Sequence, residues 1–232
     1  MRLGLRLCLM GVLDLALYEQ ASVKIMWILK QDREDCQDGT AYAERIRGAA
    51  KEQRIQSSPT WAPIAYASYA ILNGVEEFES IPDANECAEA MLSTALVEIQ
   101  KELGDPSTPN QIVRDGYAKY GDLLARQIKA ADPDVIIVCL PEGLKDIVLS
   151  IRKDVFSLDD NDWNLGACAS ALCGKKLLLW AWHPSQRRNF ENGVWTDDPA
   201  MITSLEEQFD SVWRGDFCKD CGRKDYCTGP IV

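Results

Sequence analysis

The sequence predicts a three-layer α/β/α domain with a central, mostly parallel sheet of four strands. Two observations carry this expectation. Short, nearly continuous apolar runs recur at 23–29, 95–99, 135–140 and 176–182, as expected of strands buried on both faces. Segments with helical spacing separate them, and strand–helix–strand alternation requires crossover connections that leave the strands parallel.

The elements follow in order. Residues 1–22 begin with arginines and an apolar run that Asp14 interrupts. They read as a leader helix or a start set too early, rather than as a secretory signal or a membrane span. The first strand, 23–29, runs into a polar stretch from Lys30 to Thr40, and a helix is expected over 41–53. Thr60 is expected to cap a second helix carrying Trp61, Ile64, Ala65 and Tyr69 at helical spacing, ending near Asn73-Gly74. A short helix (84–91), a strand (95–99) and a loop with two prolines (104–110) come next. A long helix over 111–130 has Ile112, Tyr117, Leu123, Leu124 and Ile128 as its apolar face. Asp132-Pro133-Asp134 stops it, and the strand at 135–140 and a helix at 142–152 follow. The mixed charges of 153–162 read as a solvated connection, 176–182 as the last strand and 199–213 as a final helix. The expected organisation is one domain over 23–215 and a cysteine-rich tail over 216–232.

Composition narrows the function. A chain of 232 residues, 47% hydrophobic and 26% charged, can bury one sizeable core and is neither disordered in bulk nor fibrous. Its net charge of -11 opposes tight binding to duplex nucleic acid, which draws affinity from Lys and Arg against phosphates. Six of the nine cysteines are scattered, a pattern that suits reduced thiols in the cytoplasm better than a disulfide framework. Membrane partners are not expected.

Two constellations carry chemistry. His183, the only histidine, stands directly after the last strand and leads into Pro184-Ser185 and Arg187-Arg188. Pro184 stiffens the turn, Ser185 can donate to an anion, and the arginines can reach phosphates. Gln31-Asp32 stands just past the first strand, where a carboxylate can position a water or stabilise a developing cation. The competing readings are a surface turn for His183 and an ordinary acidic loop for Asp32, which has Glu34, Asp35 and Asp38 beside it. Both motifs follow strands of one parallel sheet, which brings them to the same edge.

These residues resemble the uracil-DNA glycosylase superfamily. Ile28-Leu29-Lys30-Gln31-Asp32 is similar to that family's first motif, a strand ending in Gly-Gln-Asp-Pro-Tyr. Trp182-His183-Pro184-Ser185 is similar to its second, a strand ending in His-Pro-Ser. Residues 132–138 fall where such proteins have their third buried strand. The resemblance runs from about Val23 to Arg188, and its specificity lies in the two short motifs.

It implies that Asp32 positions the attacking water and that His183 stabilises the departing base anion, with no cofactor required for catalysis. Breaking an N-glycosidic bond develops positive charge on the sugar and negative charge on the base, so a carboxylate and a donor so placed lower the barrier. The base must leave the stack, which calls for a pocket beside a turn that grips the flanking phosphates. Substrate contacts would fall on Lys30, Gln31, Tyr42 as a stacking aromatic, Glu98, Pro184, Ser185, Arg187 and Arg188, the competing reading of Tyr42 being a tyrosine packed on a helix face. The partner implied is DNA, single strands included, or a nucleotide.

The chain departs from the family pattern at three places. Lys30 replaces a glycine, Arg33-Glu34 replaces Pro-Tyr, and Glu98 stands where an asparagine reads the base. These changes leave two readings: an active glycosylase of altered specificity, or a non-catalytic member that binds a nucleotide, a modified base or a protein.

Cys218, Cys221 and Cys227 form a separate cluster. A Cys-x-x-Cys knuckle aims two thiolates at one ion. Some branches of the resembled family carry an iron–sulfur cluster, so either zinc or a cluster is expected, with a fourth ligand from Cys36, Cys168 or Cys173. The alternative is a tail of reduced thiols.

Overall fold

The computed structural model describes residues 11–30, 39–75, 77–102, 108–156, 164–165, 169–173, 176–181 and 184. The apolar runs form the sheet. Strand β1 (Ile25–Leu29), β2 (Ala95–Glu98) and β3 (Val135–Cys139) are buried at every position. Along the chain these are followed by β4 (Asn164–Leu165), β5 (Ala169–Cys173) and β6 (Lys176–Ala181). The sheet order is β2-β1-β3-β6-β5-β4. β2, β1, β3 and β6 are mutually parallel, whereas β5 runs antiparallel to β6, and β4 antiparallel to β5.

The expected four parallel strands are thus present, but the sheet has six strands among the described residues. The added β4–β5 pair arises from an Ala-, Gly- and Cys-rich stretch. It shows neither apolar alternation nor β-branched enrichment, so it carried no strand signal.

Period-two alternation in β1 sends its side chains into two cores. Ile25, Trp27 and Leu29 join Ile46, Ile64 and Met91 on one face, while Met26 and Ile28 join Val113, Leu124, Ile128, Ile147 and Ile151 on the other. The first face is covered by α2 (Gly39–Lys51), α3 (Trp61–Asn73) and α4 (Ala88–Leu92). The second is covered by α5 (Asn110–Ala131) and α6 (Lys145–Phe156). These are the three layers. The connection from β1 to β2 steps one way across the sheet, and that from β2 to β3 steps back past β1. The reversal makes the β1/β3 boundary the topological switch point.

Two local expectations are corrected. Thr60 stands at the start of α3 but has helical backbone angles and makes no side-chain cap. Ser58 does the work instead: its Oγ accepts from the Trp61 amide at 3.1 Å, and its carbonyl accepts from the Ala62 amide at 3.1 Å. The helix expected over 84–91 begins only at Ala88, because residues 84–87 form turns.

From Gly11 onward the leading segment packs onto the domain. Val12 pairs antiparallel with Ala95 on the outer edge of β2. The Leu13 amide donates to the Thr94 carbonyl at 3.1 Å and the Leu96 amide to the Gly11 carbonyl at 2.8 Å. Asp14 then caps α1 (Leu15–Gln20) by accepting from the Ala16 and Leu17 amides, and its second oxygen is held by Arg47. Tyr18 is buried and donates from its hydroxyl to the Ala131 carbonyl at 3.1 Å. Residues 1–10, the final helix expected at 199–213 and the tail at 216–232 lie outside the described residues. Among the described residues no helix is long and apolar enough to cross a membrane.

Candidate functional site at the carboxyl edge of the sheet

The parallel strands β2, β1, β3 and β6 all deliver the chain to one edge. Register makes the alignment explicit: Leu29 lies opposite Glu98, Ile28 opposite Val138, and Val138 opposite Trp180. The segment after β1 and the segment after β6 therefore leave from the same edge, separated by the single strand β3. At the usual spacing between strands this is a gap of about 10 Å, comparable to a nucleobase with its sugar.

Of the residues expected to act there, Lys30, Tyr42, Glu98 and Pro184 are described. Gln31, Asp32, His183, Ser185, Arg187 and Arg188 lie outside the described residues. Lys30 is the first residue past β1 and is half-buried. Backbone pairing persists one step beyond the strands, since the Ile99 amide donates to the Leu29 carbonyl at 3.0 Å and the Gln100 amide to the Lys30 carbonyl at 3.1 Å. The Lys30 side chain crosses to the start of α5, where Nζ donates to the Thr108 carbonyl at 2.5 Å. Burial pushes its ammonium below the usual lysine range.

Glu98 ends β2 beside Leu29 and is buried, with 2% of its surface exposed. A carboxylate at that depth belongs to the interior of the edge and not to its solvated rim.

Tyr42 stands near the start of α2. It packs in the first core, its ring meets Trp61 edge-on at 5.9 Å, and its hydroxyl accepts from the Trp61 indole at 2.8 Å. The Arg45 guanidinium lies over both rings, at 5.2 and 5.5 Å. Pro184 is half-buried just beyond β6. The Trp180 indole on β6 donates to the Leu140 carbonyl at 2.8 Å, locking the end of β6 to the end of β3.

The sequence did not reveal two further polar residues at this edge. Lys101 is fully buried and donates from Nζ to Gln127 Oε1 at 2.7 Å. Gln100 is buried against α5, and among the described residues its Oε1 has no hydrogen-bond partner. Gly116 of α5 makes room for it, because a Cβ there would lie 2.5 Å from that oxygen. Polar residues just past a strand carry no sign of burial in the sequence. Their only hint was a glycine inside an otherwise helical segment, which marks close approach.

The start of α5 is fixed from the other side as well. Arg114 forms a two-pronged ion pair with Asp146 of α6 and donates to the Gly143 carbonyl at 2.5 Å. It therefore ties α5 to the chain leaving β3. The guanidinium beside it holds the Asp146 carboxyl below the usual range. Together these contacts brace both sides of the switch point, where open α/β sheets place their ligands.

The expectation of zinc or an iron–sulfur cluster is withdrawn. Among the described residues no group of three or more His, Cys, Asp or Glu side chains converges to hold a metal ion. Cys218, Cys221 and Cys227 themselves lie outside the described residues.

A scan against protein-family models finds no match for this chain, and a search of curated proteins finds none either.

Proposed function

We propose that this chain is a divergent glycosylase of the uracil-DNA glycosylase kind, hydrolysing the N-glycosidic bond of a damaged or deaminated base in DNA. One observation supports the reading: β1 and β6 are parallel and one strand apart, so the chain leaves both at the same edge, and Gln31-Asp32 and His183-Pro184-Ser185 are the motifs that follow these strands in sequence. In this reading Asp32 positions the water and His183 meets the negative charge that develops on the leaving base. The net charge of -11 favours a single strand or an extruded base over tight duplex binding. The buried thiols Cys87 and Cys139 suit a reducing, cytoplasmic setting.

The test is base release from single- and double-stranded oligonucleotides carrying uracil, hypoxanthine or xanthine. Release by the wild type and its loss in Asp32→Asn and His183→Ala is the expected result. Equal release by both variants overturns the assignment.

A second reading, a non-catalytic binder of a nucleotide or modified base, is favoured by the contacts of Lys30 and Glu98. A lysine tied to Thr108 fills space that a glycine would leave open, and a buried carboxylate replaces an amide at the end of β2. This reading expects ligand-dependent thermal stabilisation without turnover.

A further inference from the structure

We infer that Lys30 is an amine nucleophile that forms a Schiff base with an aldehydic sugar at the carboxyl edge of the sheet. The inference rests on the glycosylase reading for its substrate, since removing a base leaves a sugar whose ring-opened form is an aldehyde.

The geometry separates Lys30 from an ordinary surface lysine. It directly follows the central strand β1, whose five residues are all buried, so its Cα sits on rigid backbone. That backbone is pinned further by the Gln100 amide. The one hydrogen bond that orients Nζ goes to a neutral acceptor, the Thr108 carbonyl at 2.5 Å, and Thr108 is itself 6% exposed. Among the described residues no carboxylate forms an ion pair with it. The other lysines with an oriented Nζ differ. Lys119 and Lys176 are each paired with a carboxylate, Glu102 and Asp132 respectively, and Lys101 is fully buried.

Burial makes a lysine lose its proton more readily, and among the described residues no carboxylate pairs with Lys30 to oppose that; the Thr108 carbonyl serves to orient Nζ. The direction of its titration agrees: burial is the cause that lowers it. An amine in this state is the usual source of enzymic Schiff bases.

The step balances without a co-reactant. Nζ gives up a proton to solvent, and its lone pair attacks the aldehyde carbon as the carbonyl π bond opens. The alkoxide oxygen takes the proton that the attacking nitrogen sheds, giving a carbinolamine, and a proton returned from solvent lets its hydroxyl leave as water, so that an iminium ion remains. Hydrolysis reverses the sequence and frees the lysine.

The test uses the full chain and an oligonucleotide that already carries an aldehydic abasic site, so base removal is bypassed. Sodium borohydride is added to deliver hydride to the iminium carbon and make the link permanent. The expected result is a covalent protein–DNA band whose tryptic adduct maps to Lys30, and which falls to background in Lys30→Arg. Lys30→Met serves if the arginine variant does not fold, and the mapped wild-type adduct decides the matter if neither folds.

Three results overturn the inference: no band from folded wild type, an adduct on another residue, or an undiminished band in the variant. Base release from uracil-bearing strands is scored in parallel. Trapping without release supports the amine and removes the hydrolase, so the two proposals fail separately.

Discussion

At the scale of single residues, the contact between Gly116 and Gln100 is the sharpest test of packing. Replacing a mid-helix glycine by alanine ordinarily stabilises a helix by about 1 kcal/mol. Here the new methyl would lie 2.5 Å from Gln100 Oε1 and 3.4 Å from the Gln100 Cα. Overpacking of a filled interior costs about 1–3 kcal/mol. Gly116→Ala is therefore expected to destabilise by about 1 kcal/mol, as read from urea unfolding. Much of that loss should vanish when Gln100→Ala is added, and purely additive losses would show that the two residues do not meet.

Cys87 makes a second residue-scale prediction. Burial, helped by the charges of Asp83 and Glu86, pushes its thiol from 9.0 up to about 12. Because the folded value lies above the unfolded one, the neutral thiol's contribution to stability is complete below about pH 9. It is lost as the pH climbs toward 12. Native protein at pH 8 should leave Cys87 unlabelled by a thiol reagent, with labelling appearing only on unfolding. Rapid labelling of the folded chain would contradict this placement.

At the scale of elements, the start of α3 shows how a correct helix can be assigned the wrong cap. Both Ser58 and Thr60 are capping residue types, and the sequence does not say which one the chain turns on. The fold selects Ser58, whose hydroxyl receives the Trp61 amide. Ser58→Ala is expected to lower stability by about 1 kcal/mol and Thr60→Ala by less than about 0.5 kcal/mol. Thermal unfolding of the two variants side by side checks the order, and a reversed order would restore Thr60.

The same contrast explains what was legible elsewhere. β3 was readable because Val135 to Leu140 is continuously apolar, which only a strand buried on both faces requires. β4 and β5 were not, since an edge ribbon pairs through its backbone and asks little of its side chains. At the candidate site, strand order decided which residues share an edge, and crossover logic foresaw that for the segments after β1 and β6. The burial of Glu98, Gln100 and Lys101 could not be foreseen. For Gln100 and Lys101 it follows from how closely α5 docks, and only Gly116 recorded that in the sequence. For Tyr42 the packed helix-face reading holds over the stacking one, since α2 and α3 close on it in the first core.

At the scale of the whole molecule, the sheet has two different edges. One ends in the short antiparallel pair β5 and β4. The other is β2, fully buried and apolar through Ala95-Leu96-Val97, with Gly11 to Leu13 laid along part of its length. A strand of that composition with its outer amides and carbonyls uncovered is a template for a second chain. Gly11 to Leu13 cover part of that edge and are expected to oppose self-association there. A chain lacking residues 1–12 should form larger species that grow with concentration, visible by light scattering beside the full-length protein. An unchanged size distribution would mean that β2 is shielded in some other way. Growth on truncation would instead make solubility depend on Gly11 to Leu13, a stretch laid along the sheet's edge rather than at the candidate site.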